Sequence, residues 1–150
     1  MSRITATARI VVGNVPGLLA KVGGGLWDGV GDAAVIVEGA AKQNCPVDTG
    51  ALRDSIATQM YRGAEAAQRG GSLASSLFSV VAEISPDMPY SVYVEFGTGR
   101  RGAASPGAGP FEYKESWPGQ VAQPYMRPAA DDNRDAAVEA IKSAVQSALS

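Results

Sequence analysis

The chain has 150 residues, with 13 Lys or Arg against 15 Asp or Glu and a net charge of −2. The slightly acidic balance argues against nucleic-acid binding through a generally basic surface, and the length suits one domain, or one domain with an arm. There is no histidine and one cysteine, Cys45. Ser-His-Asp and Cys-His catalysis, His-based metal sites and an internal disulfide are thereby excluded, and synthesis in a reducing cytoplasm is expected.

Residues 1–17 read as an N-terminal arm, with weak alternation over 1–12 that fits a strand or an extended segment, and a turn at Asn14-Val15-Pro16-Gly17. From about Leu18 to Gln43 the pattern is helical. Leu26, Val30, Ala33, Val37 and Ala40 form one apolar stripe. Gly23-Gly24-Gly25 is a poor helix interior, at about 1 kcal/mol per Gly relative to Ala, so the regular helix is expected to start near Leu26 or to break there. It should stop before Pro46, because the residue preceding proline avoids the α region. Lys21, Asp28, Asp32 and Glu38 interrupt this most apolar stretch, so no membrane span is expected.

Three strands are predicted next. Leu52–Tyr61 alternates, with Leu52, Ile56 and Met60 on one side; Ser76–Ser85 places Phe78, Val80, Ala82 and Ile84 on one face. Tyr90–Phe96 does the same with Tyr90, Val92, Val94 and Phe96. Residues 61–75 read as a loop or hairpin tip. The short Pro86–Pro89 turn makes an antiparallel hairpin of the last two strands the natural pairing. Residues 97–120 form a long irregular loop, with seven Gly or Pro between Gly97 and Pro110. Such loops are usually functional or disordered. The C-terminal part is helical: Pro128 suits a first turn, Asp131, Asp132 and Asp135 lie near the positive helix end, and Val138, Ile141, Val145 and Leu149 form a stripe. The expected architecture is α+β: a small, mostly antiparallel sheet flanked by an N-terminal and a C-terminal helix, with residues 18–150 as a single domain.

Few residues suggest chemistry. Gly97-Thr98-Gly99-Arg100-Arg101-Gly102 matches a dinucleotide fingerprint, but Ala103-Ala104-Ser105-Pro106 is a poor helix start and no βαβ unit surrounds it. Arg100 and Arg101 concentrate positive charge and suit an acidic protein surface or a phosphate backbone. A small carboxylate-dependent hydrolase, a distant alternative, would use Glu83, Asp87 or Glu95. The strand reading puts Glu83 and Glu95 opposite the apolar faces, as solvated or interface charges. Cys45 reads as a packed thiol, since no base is available to activate it. Phe111, Tyr113, Trp117 and Tyr125 lie in irregular chain, where aromatics fold back or anchor a partner; Trp27 reads as helix packing. No catalytic residue, cofactor or metal is expected.

Three blocks, in order, carry a resemblance. The first is Cys45-Pro46-Val47-Asp48-Thr49-Gly50-Ala51-Leu52-Arg53-Asp54-Ser55-Ile56. The second is Tyr90-Ser91-Val92-Tyr93-Val94-Glu95-Phe96-Gly97-Thr98, and the third Gln123-Pro124-Tyr125-Met126-Arg127-Pro128-Ala129. Together they resemble the tail-component family of long-tailed bacteriophages, also called tail-completion, head–tail joining or neck proteins. Ser91 replaces the family's usual Ala, and Tyr125 its usual Phe. The resemblance implies a non-enzymatic virion protein made in the bacterial cytoplasm. It implies a homo-oligomeric, sixfold ring at the top of the tail, between the tail-tube protein and a head-side connector or stopper. DNA would pass the lumen only as cargo. A tail-tube terminator is the alternative role. Most motif residues are expected to specify the fold: Asp48 and Thr49 by bonding nearby amides, Gly50 by a positive φ, and Arg127 by pairing with a carboxylate such as Glu95. Arg100, Arg101, Phe111, Tyr113 and Trp117 are the expected partner contacts.

Overall fold

A long helix, a two-stranded sheet and a C-terminal helix make up the frame. The computed structural model describes residues 15–69, 78–98 and 118–150. Helix α1 spans Val15–Asn44, α2 Ala51–Asp54, β1 Ile56–Arg62, α3 Gly63–Gln68, β2 Val80–Pro86, α4 Ser91–Phe96, α5 Met126–Asp132 and α6 Arg134–Leu149. The α+β class is as expected. β1 and β2 pair antiparallel, with Ile56 opposite Pro86 and Arg62 opposite Val80. α1 is the spine against which α5, α6 and both strands pack.

Helix α1 runs through the three glycines without a break, and this corrects the expected late start. The reason is tertiary. A Cβ placed on Gly25 would lie 2.9 Å from the Val145 backbone, and one on Gly29 would lie 2.7 Å from the Ile141 backbone. One turn apart, these two glycines let α6 approach closer than any side chain would allow. Packing along that seam offsets the propensity penalty of roughly 1 kcal/mol per glycine. α1 ends ahead of Pro46, as predicted.

Three further expectations are corrected. Leu52–Tyr61 is not one strand: Ala51–Asp54 is a helical turn, and the strand begins at Ile56. Residues 63–68 within the expected loop form α3, whose Ala66 and Ala67 are buried. The expected third strand is α4, so the sheet has two strands in the described residues, and β2 pairs with β1 rather than with 90–96.

The core joins the ends of these elements. Ala41, Cys45, Leu52, Ile56, Tyr125 and Ala129 form one buried cluster, with Val37, Ile84, Met88 and Val94 packed around it. Tyr125 and Ile56 are its largest fully buried side chains. Burying each such residue contributes roughly 1.5–3 kcal/mol.

Candidate functional site

The three sequence blocks converge on this cluster. The first forms the corner between α1 and β1. Cys45 is buried, and its thiol donates to the Pro46 carbonyl oxygen at 3.6 Å. Burial pushes the thiol pKa up, which keeps it protonated and unreactive. The Thr49 hydroxyl accepts the Ala51 amide at 3.3 Å, and Gly50 sits at φ 85, as its place in the motif predicts. Ser55 closes α2 by donating to the Leu52 carbonyl at 2.8 Å.

The second and third blocks meet through Glu95. Its carboxylate is 7% exposed and receives three backbone amides. Oε2 accepts from Tyr125 at 2.7 Å and Met126 at 3.0 Å, and Oε1 accepts from Arg127 at 3.0 Å. The first four N–H groups of a helix have no partner within it. Here Glu95 holds those of residues 125–127, and the next residue, Pro128, has none to satisfy. Negative charge at this end also complements the helix dipole. Two expectations change accordingly. Glu95 is buried, not a solvated charge, and it binds the Arg127 backbone, not its side chain. The Arg127 guanidinium lies 5.3 Å over the Phe96 ring instead.

The strand-like alternation of 90–96 concealed this arrangement. In α4, Ser91 and Glu95 are one turn apart and both buried, while Val92 is 41% exposed. The buried Tyr125 hydroxyl bonds Ser91, and burial, with Cys45 and Glu95 nearby, pushes its pKa up to about 12.

Beyond Glu95 the chain is fastened again. Gly97 leaves α4 at φ 71. The Thr98 amide donates to the Gln120 carbonyl at 2.9 Å, and the Gln120 amide donates to the Thr98 hydroxyl at 3.0 Å. The Gln123 amide donates to the Val94 carbonyl at 2.8 Å. The segment between Thr98 and Gln120 therefore starts and ends at one closed point. Arg100, Arg101, Phe111, Tyr113 and Trp117 lie outside the described residues.

Glu83, Asp87 and Glu95, the carboxylates a hydrolase would use, do not share an environment. Glu83 pairs with Arg69 at 2.7 Å on the surface, and Asp87 is exposed. Both oxygens of Glu95 are occupied by amides. Among the described residues no group of three or more Cys, Asp or Glu is placed to hold a metal ion, and no helix is long and apolar enough to cross a membrane. What the structure adds to the sequence reading is a set of exposed apolar side chains: Val47 at 60%, Val121 at 56%, and Tyr90 and Val92 at slightly lower exposure. Val47 and Tyr90 belong to the motif blocks, yet they do little for the core. Only their type was legible beforehand, not their exposure.

The fold and its fastenings define a structural module, in which the polar signature residues hold helix ends and turns. Residues 28–97 match the model of a family described as "Bacteriophage HK97-gp10, putative tail-component", so the resemblance carried by the first two blocks points to a structural component of a phage tail. Neither the curated proteins nor the solved structures gave a match.

Proposed function

We propose that this protein is a non-enzymatic virion protein that forms a homo-oligomeric, hexameric ring at the top of the tail, completing the tail and joining it to the head connector. The observation that carries this reading is the family match over residues 28–97, reinforced by the third block, which the Glu95 carboxylate binds to the second. Since the motif's Thr49, Ser55, Glu95 and Thr98 are engaged internally, contact falls to the exposed side chains Val47, Tyr90, Val92 and Val121, together with Arg100, Arg101, Phe111, Tyr113 and Trp117 of the long loop. The partners are other copies, the tail-tube protein and a head-side connector or stopper, with DNA as passing cargo.

Native mass spectrometry across concentration, paired with electron microscopy of particles lacking the protein, tests this. Hexamers, with normal-length tails left unattached to heads, are expected. Tails of abnormal length would instead make the protein a terminator of tube growth, and a stable dimer or tetramer would overturn the sixfold ring. Loss of infectious particles on deleting residues 100–118 is expected if the loop contacts a partner.

A further inference from the structure

Two exposed apolar surfaces are separated by α1 and the core. The first is on α1 itself. Val35 is 72% exposed, the highest value for a large hydrophobic side chain among the described residues. The seam with α6 runs through Gly25 and Gly29, and Glu38 turns to the sheet, where it meets Thr58. Val37 packs against the buried cluster. Two residues on from Val35, it lies about 160° round the helix from it. Val35 therefore points away from the core. At Gly39, one turn further, a Cβ would meet nothing within 4 Å, so a neighbour can reach the helix backbone beside Val35. Asp32 and Asp28, one and two turns before Val35, are exposed on the same side. Lys42, the nearest cation along that face, is taken up by Glu38 at 2.6 Å.

The second surface lies across the core, on α4. Ser91 and Glu95 are buried, and Val94 packs against the cluster. Val92 and Phe96, one turn apart, therefore share a face that turns outward. The exposed Arg127 places its guanidinium over the Phe96 ring. Val121 extends this surface, because its segment is bonded to Val94 and Thr98 through the Gln123 and Gln120 backbones.

The two surfaces are alike in apolar character and opposite in charge. A contact between two α1 surfaces would set Asp28 and Asp32 against their own copies, and one between two α4 surfaces would do the same with Arg127. Either would also leave the other surface bare. A contact between unlike surfaces covers both and pairs the charges. Since the two face different ways, it repeats from copy to copy, the head-to-tail arrangement that closes into a ring.

We propose that the α1 surface of one subunit receives the α4 surface of the next copy, with Val92 and Val121 against Val35 and Arg127 against Asp32. This inference rests on the ring reading and names the faces through which its subunits meet.

Native mass spectrometry of the full-length chain across concentration tests it. Asp32→Arg alone and Arg127→Glu alone each set like charges facing, and each is expected to raise the concentration needed for hexamers at least about tenfold. The two substitutions together should recover most of that shift. A short bismaleimide gives a second readout if a charge variant folds poorly. With Val35→Cys and Val92→Cys in one chain, it should link copies into a ladder that reaches the hexamer, while either substitution alone should give no linked species. Cys45 is buried and takes no part. Hexamers indifferent to the charge substitutions, a double variant no better than the single ones, or dimers linked through Val35→Cys alone would overturn this contact and leave the ring standing. Monomers at every concentration would overturn the ring and this contact together.

Discussion

The Glu95 carboxylate and the Tyr125 amide, thirty positions apart in the chain, lie 2.7 Å from each other inside the protein. Through this contact α4 starts α5. A buried charge without partners is costly, but here two oxygens meet three donors, so the burial is matched. Replacing Glu95 by Gln removes the charge and points an amide donor at backbone donors. An expected loss of about 1–3 kcal/mol follows, with Glu95→Ala at the upper end or beyond, because buried N–H groups lose their acceptor. Denaturant unfolding of both variants checks it. A change below about 0.5 kcal/mol for Glu95→Ala would show that water replaces the carboxylate without penalty.

The glycines of α1 should respond with opposite signs. A methyl group on Gly39 would meet nothing within 4 Å, so Gly39→Ala should stabilise by up to about 1 kcal/mol through helix propensity. At Gly29 the same methyl would come within 2.7 Å of the Ile141 backbone. Gly29→Ala should therefore destabilise, by roughly 1–3 kcal/mol, as overpacking does. Thermal melts of the pair read the difference.

Alkaline pH should weaken the protein through Tyr125. Its hydroxyl is neutral when protonated, and in the folded state its pKa is pushed up to about 12, against about 10 for an ordinary tyrosine. The unfolded chain therefore ionises first. Stability from this group is intact below pH 10 and is lost as pH rises from 10 to 12, by at most about 2–3 kcal/mol. Tyr125→Phe should abolish this part of the alkaline slope while costing about 1 kcal/mol at neutral pH, for the lost bond to Ser91. Equal slopes in the two proteins would contradict the assignment.

Glu38 should make the corresponding contribution in acid. It accepts from Lys42 and from Thr58, each at 2.6 Å, and these contacts hold its pKa below the usual glutamate value. The stabilisation is present above the unfolded pKa and is lost as pH falls through the lower, folded one. Glu38→Gln should cost about 1 kcal/mol at neutral pH and flatten the acid limb of a stability-versus-pH curve.

What could be read from the sequence was local. The stop before Pro46, the left-handed Gly50 and the stripes of α1 and α6 depend on neighbours a few residues away. What misled was decided by distant partners. Gly25 looked like part of a break because its close approach to α6, over a hundred residues on, was not in view. Tyr90–Phe96 looked like a strand because its apolar residues alternate. In the fold, Ser91 and Glu95 are buried instead, toward a tyrosine and a helix end that the third block supplies. Glu95 was correctly drawn toward Arg127, but to its amide and not its guanidinium. The expected contact residues of the long loop rested on composition alone, and the exposure of Val47 and Tyr90 needed coordinates.

The reciprocal bonds between Thr98 and Gln120 bring two chain positions together whatever lies between them. The connection there behaves as a splice point: residues could be added or removed beyond Thr98 without changing how α4 addresses α5. Selection could thus alter the reach of this connection to suit a differently sized neighbour while the rest of the domain kept its geometry. A short tag inserted between Gly107 and Ala108 should report on surroundings without disturbing folding.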